Sequence, residues 1–326
     1  MRKSQGIRYS NTIKQLALTI YFYVPRAYTF LKTILQLPSP RTIRGITEQI
    51  QVVPGLNDIL FEAMDYKINN LKNDAKECIL CIDEMSIKTH LFYNLLQDYI
   101  IGFNNSYDKK TYEPAKHVLC FMLRSLNYNW KQPVAYFFIN NSCTGITLQN
   151  TIFAVISRVQ STSLKIKAVT TDQGSNFVNF ASKMHVSKER PYFYVNGQKL
   201  FYFFDALHLL KSTRNNFLNK IYLEQFYKFD KGLNRLAPKL TDSHIYPGPF
   251  QKMKVSYASQ VLSGTVAAAM KTCIHGGTLP PTAETTSIFI DYMDKLFDIL
   301  NSKKKFDGKD FTRSFKNTAQ QRGLYY

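Results

Sequence analysis

Two apolar runs that each end in an aspartate constrain the fold of this 326-residue chain more than any other feature. Residues 78–82 precede Asp83, and residues 168–171 precede Asp172. Each run has the length and composition of a buried strand. An aspartate at the exit of a central strand is held by the sheet and still reaches solvent, so two such carboxylates can share a divalent cation. The alternative for both residues is a turn or capping role after a strand.

The order of the elements around these runs indicates the topology. The pattern predicts strands at 77–82, 116–124, 134–139, 165–171 and 199–204, with a helix over 148–159 between the third and fourth strands. Three strands, a helix, a strand, an irregular or helical stretch and a strand is the order of an RNase H-like fold. Its first and fourth strands are neighbours, so we expect the carboxylates of Asp83 and Asp172 to converge.

The segments on either side of this sheet are expected to be helical. We therefore predict an α/β protein with three parts: a helical, helix-turn-helix-like module (1–73), an RNase H-like mixed sheet (74–205), and a mostly α-helical domain with a flexible tail (206–326). In the first part, Ser10 and Ser39 are candidate helix N-caps. Arg41 and Arg44 then share one face of a helix that either contacts DNA or belongs to a basic hairpin packed on the next domain.

The amino-acid composition of the chain indicates which class of molecule it would bind. The chain has 42 Lys and Arg against 23 Asp and Glu, a net charge of 42 − 23 = +19, and a pI of about 9.6. This excess favours a polyanion such as nucleic acid, although a basic surface kept for solubility is the alternative. Five scattered cysteines are typical of a reducing compartment, and no run reaches the roughly 20 apolar residues of a membrane span. We expect an intracellular protein without a membrane partner.

Short segments along nearly the whole chain carry a family resemblance. They are Arg8-Tyr9-Ser10, Ile13-Lys14-Gln15, residues 18–25, Leu37-Pro38, Pro40-Arg41-Thr42, Ile82-Asp83-Glu84-Met85, Ile100-Ile101-Gly102-Phe103, Thr171-Asp172, Gly174-Ser175-Asn176, Asp205, His208-Leu209-Leu210-Lys211, Arg214-Asn215, Met253-Lys254-Val255, Gln260-Val261-Leu262-Ser263, residues 294–298 and residues 300–302. With these segments in this order, the chain resembles the transposases of the P-element type, including the THAP-domain transposases of animals.

The resemblance implies a cut-and-paste DNA transposase whose RNase H-like core is interrupted by a GTP-binding insertion domain. Asp83 and Asp172 would be the first two residues of the family's catalytic acidic triad and would bind Mg²⁺ or Mn²⁺. Implied partners are the DNA of transposon ends and further copies of the chain, and the implied location is the nucleus. For GTP, Phe297 and Asp298 would hold guanine and Lys254 the phosphates; the alternative is that these aspartates form the solvent-exposed face of an amphipathic helix.

Three further positions near the second aspartate allow two interpretations each. Asp205 also ends an apolar run, so it is a candidate third metal ligand, while capping of the helix that begins at Ala206 is favoured. Lys211 and Arg214 follow His208 at intervals of three residues and either contact DNA phosphates or face solvent.

Two parts of the family's pattern are not found in these 326 residues: a Gln-Asp-x-x-Glu segment with the third catalytic carboxylate, and the N-terminal zinc finger. We therefore expect an incomplete transposase whose strand cleavage is impaired when the chain acts alone. The alternatives are a non-catalytic DNA-binding regulator derived from a transposon, and a guanine-nucleotide-binding protein.

Overall fold

The structure is a computed structural model that describes residues 8–47, 53–69, 71–95, 98–106, 109–217 and 221–301. Short 3₁₀ turns occur at Asn73–Lys76 and Pro281–Ala283. The strands and α-helices in these ranges are α1 Asn11–Tyr23, α2 Pro25–Ile34, α3 Pro40–Thr47, β1 Gly55–Leu56, α4 Asp58–Asn69, β2 Glu77–Ser86, β3 Phe92–Asn94, β4 Tyr99–Ile101, β5 Phe103–Ser106, β6 Lys109–Pro114, β7 His117–Ser125, β8 Lys131–Ile139, α5 Gly145–Gln160, β9 Lys165–Thr171, α6 Ser175–Lys183, β10 Tyr192–Val195, β11 Gln198–Phe204, α7 Ala206–Phe217, α8 Ile221–Phe229, α9 Asp242–Ile245, α10 Pro249–Lys252, α11 Val255–Val261, α12 Gly264–His275 and α13 Glu284–Leu300.

A seven-stranded mixed sheet forms the centre of the molecule. Its strand order is β1-β8-β7-β2-β9-β11-β10. Strands β2, β9 and β11 run parallel to one another, and the other described pairings in this sheet are antiparallel. The predicted RNase H-like mixed sheet is confirmed, and β2 and β9 are neighbours as expected.

The packed face of the sheet contacts α4, α5 and α6. Alternate residues of β2 are buried there, and α5 contributes Val155 and Ile156, both fully buried. Helix α4 belongs to the same core through Phe61, Met64 and Ile68. The sequence predicts that residues 58–69 belong to the N-terminal module, but in the structure their apolar side chains pack on the sheet.

The N-terminal helices α1, α2 and α3 surround a small core of their own, made of Ala17, Tyr28, Leu37 and Ile43. The predicted caps are present: Ser10 accepts a hydrogen bond from the Ile13 amide at 3.3 Å, and Ser39 accepts one from the Thr42 amide at 3.1 Å. The buried Tyr28 hydroxyl donates to the carbonyl of Pro38 at 2.6 Å, which ties the turn before α3 to α2.

Helices α7 to α13 pack around a third cluster of buried residues. Two of these helices, α11 and α12, are separated by a short break in the chain. They separate at Ser263, whose side chain accepts from the Val266 amide at 3.4 Å and so begins α12. The predicted flexible tail from residue 302 lies outside the described residues. No helix in the described ranges has the length and apolar character needed to cross a membrane.

Candidate metal site and nucleic-acid contacts

The strand register brings Asp83 and Asp172 to one edge of the sheet. The parallel pairing of β2 with β9 ends at Cys81 opposite Thr170. Each aspartate lies two positions beyond this last β2–β9 pair. The sequence predicted that the first strand ends before Asp83, but antiparallel pairing with β7, in which Asp83 lies opposite Cys120, extends β2 to Ser86. Since side chains alternate between faces along a strand, residues two positions past a paired couple emerge on the same face and at the same edge. The two carboxylates therefore leave neighbouring strands side by side.

The local contacts of the two carboxylates differ. Asp172 is 26% exposed; its Oδ1 accepts from the Gly174 amide at 2.9 Å, and its Oδ2 lies 3.9 Å from His208 Nδ1. Asp83 is exposed, and among the described residues none donates a hydrogen bond to its carboxylate. A Cβ at residue 174 would lie 2.6 Å from Asn176 Oδ1 and 3.1 Å from Asp172 Oδ1, so a larger residue in this turn would displace these two side chains.

The negative charges of Asp83 and Asp172 contribute to the raised pKa values of two nearby side chains. Burial raises the pKa of the Cys120 thiol, and the carboxylate of Asp83 raises it further. Burial also raises the pKa of Tyr202 to about 12, opposed by its hydrogen bond with Thr171 and reinforced by Asp172. Both shifts arise because an anion is disfavoured in an apolar environment and beside another anion.

Asp205 lies next to Asp172 on the other side. Strand β11 pairs in parallel with β9 up to Phe204 opposite Thr171, and the Asp205 amide donates to the Thr171 carbonyl at 2.7 Å. Its carboxylate oxygens accept from the amides of Leu207 at 3.4 Å and His208 at 3.3 Å. These contacts match the capping role that the sequence favoured. Within the described part of the chain, no three His, Cys, Asp or Glu side chains are grouped so as to hold a metal.

Glu84 and Asn176 are two polar residues of this edge that the sequence analysis assigned no role. The Asn176 Nδ2 donates to Glu84 Oε2 at 2.8 Å across 92 positions of the chain. Their place inside the two aspartate segments was a signal, but the contact itself depends on the sheet register and cannot be derived from local spacing.

The arginines assigned to DNA contacts have different environments. Arg41 and Arg44 are exposed on α3, whose Ile43 is buried against the N-terminal core. Lys211 is half-buried on α7. Arg214 is fully buried, which corrects the expectation that it faces phosphates or solvent. Steps of three residues turn a helix by about 300°, so 208, 211 and 214 rotate progressively toward the domain interior.

The guanidinium of Arg214 is engaged inside the helical domain. Its Nη2 donates to the carbonyls of Gln251 at 3.4 Å and Lys252 at 3.0 Å, at the end of α10. Its Nε and Nη1 are buried without a hydrogen-bond partner. Burial lowers the pKa of this arginine. Arg214 therefore ties α7 to α10.

Of the three residues suggested for GTP, Lys254 immediately precedes α11, and Phe297 and Asp298 lie on α13. Lys254 is exposed at the start of α11, with its Nζ 5.0 Å from the centre of the Tyr257 ring. Phe297 is half-buried against the domain core on α13, and Asp298 beside it is partly exposed. Burial raises the pKa of Asp294 on the same helix; Asp298 and Asp291 add to the rise, and the Gly264 amide and Lys295 oppose it.

The raised pKa of Asp294 predicts a pH-dependent effect of Asp294→Asn. A carboxyl group whose pKa is higher in the folded chain favours folding when protonated, and this contribution is lost as the pH rises through the folded pKa. We expect Asp294→Asn to raise the free energy of unfolding at pH 7 by less than about 1 kcal/mol, because the group is partly solvated. This gain in the free energy of unfolding should vanish below the pKa that Asp294 has in the unfolded chain. Urea unfolding at pH 7 and pH 3.5 measures both values.

Asp291→Asn is the matched control, since Asp291 forms an ion pair with Lys295 at 2.6 Å. It should give no net stabilisation at pH 7, because the lost ion pair offsets the relieved repulsion between Asp291 and Asp294. An equal gain from both substitutions would show that the effect is one of general charge rather than of burial.

Three family models match successive parts of the chain. They are described as "Transposable element P transposase-like, HTH domain" over residues 1–45, "TNP-like, RNase H N-terminal domain" over 52–185, and "TNP-like, GTP-binding insertion domain" over 203–314. Together they follow the N-terminal helices, the sheet and the helical domain in chain order.

Two relatives and one solved structure extend these matches. The chain is 26% identical over 303 residues to the Transposable element P transposase of Drosophila melanogaster, covering 88% of this chain and 38% of that protein. It is 25% identical over 325 residues to DNA transposase THAP9 of Homo sapiens, covering 90% and 35%. The chain thus spans little more than a third of either relative.

The solved structure is the Drosophila P element transposase strand transfer complex. It superposes with a TM-score of 0.79 at 24% identity, covering 98% of this chain and 72% of that one. This likeness supports the fold described above. With three successive family models and two relatives along its length, the chain belongs to the P-element-type transposases.

Proposed function

We propose that this chain takes part in DNA transposition by metal-dependent cleavage or transfer of DNA strands at Asp83 and Asp172. The observation that carries the proposal is the parallel register that sets both carboxylates at one edge of the sheet. Phosphoryl transfer demands little of side chains beyond holding metal ions and the nucleophile in position, so a rigid pair of carboxylates is suited to it.

The donor atoms at this edge fit Mg²⁺ or Mn²⁺. Mg²⁺ is commonly held by one or two carboxylates and completes its coordination with water and phosphate oxygens. Asp83 is exposed, and Asp172 Oδ2 accepts no hydrogen bond from a described residue. The ion, when bound, supplies activation of the attacking oxygen and stabilisation of the leaving one. Asp205, with both oxygens on backbone amides, supports the edge as a helix cap.

A nicking assay on supercoiled plasmid tests this function. The full chain is expected to nick the plasmid in Mg²⁺ or Mn²⁺ and to stop when EDTA is added. Asp83→Asn and Asp172→Asn keep the side-chain shape and remove the charge, so each should lower the rate at least about 100-fold. Wild-type nicking that is no faster than that of the two variants would contradict the proposal.

We also propose that the helical domain binds GTP through Phe297, Asp298 and Lys254. An aromatic face stacks on a base, a carboxylate accepts the two N–H groups of guanine, and an ammonium group balances phosphate charge. GTP at 100 times its dissociation constant should stabilise this domain by about 2.7 kcal/mol. Thermal unfolding with GTP, with ATP and with Asp298→Ala measures the effect. Equal shifts with GTP and ATP would contradict recognition of guanine.

A second candidate is a DNA-binding protein without catalysis, acting in the nucleus as an oligomer. It requires only basic side chains that are exposed to solvent. The exposed Arg41 and Arg44 would contact phosphates in either case. Salt-dependent retention of DNA without any metal-dependent nicking would select this alternative.

A further inference from the structure

We propose that Glu84 and Asn176 form a positioning pair that holds the two strand exits carrying Asp83 and Asp172 in a fixed mutual register. The inference rests on the proposed function of the aspartates and adds two residues to their support. Neither residue touches the reacting atoms in this proposal. Their part is to determine where the two carboxylates stand.

The pair links three segments at the edge of the sheet, and Glu84 Oε1 also lies 3.4 Å from His117 Nδ1 on β7. Glu84 follows Asp83 on β2 and points to the opposite, helix-covered face, where its side chain is 11% exposed. Its Oε2 accepts from Asn176 Nδ2 at 2.8 Å, and lies 3.4 Å from the Cys143 amide and from Ser142 Oγ. Glu84 therefore joins the end of β2 to the first turn of α6 and to the loop before α5.

Asn176 is placed to act directly on the second aspartate. It lies four residues after Asp172, is 6% exposed, and its Oδ1 accepts from the Phe177 amide at 2.9 Å. That same oxygen occupies the space that a Cβ at residue 174 would need, and the Gly174 amide donates to Asp172 Oδ1 at 2.9 Å. The turn that orients Asp172 is thus continuous with the hydrogen bond to Glu84.

The backbone ladder between β2 and β9 does not reach the two aspartates. The last pair between these strands is Cys81 with Thr170, two positions earlier, although Asp83 remains paired with Cys120 of β7. Beyond them, the described contact that crosses between the two strand exits is made by Glu84 and Asn176. The face to which Glu84 points also excludes it as a third ligand beside Asp83.

Substitutions that reverse the hydrogen bond test the pair. Asn176→Asp places two carboxylates against each other and should open the contact. Glu84→Gln combined with Asn176→Asp restores one donor and one acceptor with their roles exchanged. Amide hydrogen exchange at residues 84–87 and 174–178 of the full chain should accelerate in Asn176→Asp and return toward wild type in the double variant.

The consequence for the aspartates is measured with Mn²⁺ as the probe, by the electron paramagnetic resonance signal of the free ion. Residues that orient metal ligands typically contribute ten- to a hundredfold to affinity, so we expect at least a roughly tenfold loss in Asn176→Asp and recovery in the double variant. Asn140→Asp is the matched control, since Asn140 donates to Glu113 at the same 2.8 Å and has no hydrogen bond with Glu84 or Asn176. It should leave both readouts unchanged.

The outcomes separate this proposal from the proposed function. If Asn176→Asp alters neither exchange at the two strand exits nor Mn²⁺ affinity, or if the double variant does not recover, the positioning pair is overturned. If the wild type binds no Mn²⁺ while Asn176→Asp still loosens both exits together, the metal-dependent function fails and the pair stands as the link between the strands.

Discussion

Replacing Arg214 with alanine should lower the free energy of unfolding of the helical domain by about 3 kcal/mol or more. The change leaves a cavity at a fully buried position and removes the donor from the carbonyls of Gln251 and Lys252. Truncating a large buried side chain costs about 2–5 kcal/mol, and an unsatisfied buried carbonyl about 1–3 kcal/mol. Urea unfolding of the full chain, with amide exchange in α7 as the local report, measures the loss.

Arg214→Met distinguishes the effect of side-chain volume on stability from the effect of the buried charge at this position. Two nitrogen atoms of the guanidinium are buried without a partner, and a buried cation without a carboxylate is costly. Methionine fills most of the volume without this cost, so we expect a stability within about 1 kcal/mol of wild type. A methionine variant as unstable as the alanine variant would show that the two hydrogen bonds to α10 dominate.

Gly102→Ala should cost about 3 kcal/mol or more, concentrated in the hairpins formed by β3 to β6. Gly102 has a φ of +113°, and a Cβ there would lie 2.4 Å from the backbone carbonyl oxygen of His90. A backbone oxygen cannot rotate away as a side chain can, so the added atom displaces the chain and strains its conformation. Amide exchange in β4 and β5 should accelerate, together with that of Ala115, which donates to the Gly102 carbonyl.

Gly197→Ala is the control for the conformational part of this cost. Gly197 also has a positive φ, +75°, but a Cβ there has no atom within 4 Å. About 1 kcal/mol is expected from the backbone conformation alone. If the two alanine variants lose the same stability, the contact with His90 is not the reason for glycine in the segment Ile100-Ile101-Gly102-Phe103.

The central strands were predictable because their sequences combine length, apolar content and a clear polar end. Predicted strand 165–171 matches β9 residue for residue, and 199–204 differs from β11 by one position. The hairpin of β10 and β11 was missed, although Asn196 and Gly197 both have positive φ and are the residue pair that favours a two-residue turn. Strands β3 to β6 are short or largely polar, so no apolar alternation distinguishes them.

The site was predictable as far as it depends on strand order. Asp83 and Asp172 are carried by neighbouring parallel strands, as the element order predicts. The burial of Arg214 and the contact between Glu84 and Asn176 depend instead on packing between segments 37 and 92 residues apart, respectively. Spacing along one helix or one strand contains no information about such partners.

Asp205 has a mechanical consequence for the whole chain. Strand β11 ends at Phe204 and α7 begins at Ala206. A single residue, the helix cap Asp205, therefore connects the sheet to the helical domain. That residue is hydrogen-bonded backward to Thr171 and forward to α7. Because Asp205 is hydrogen-bonded on both sides, it passes a rotation of one part on to the other, as a flexible linker would not. A rotation of the helical domain would therefore twist the end of β11, beside Asp172.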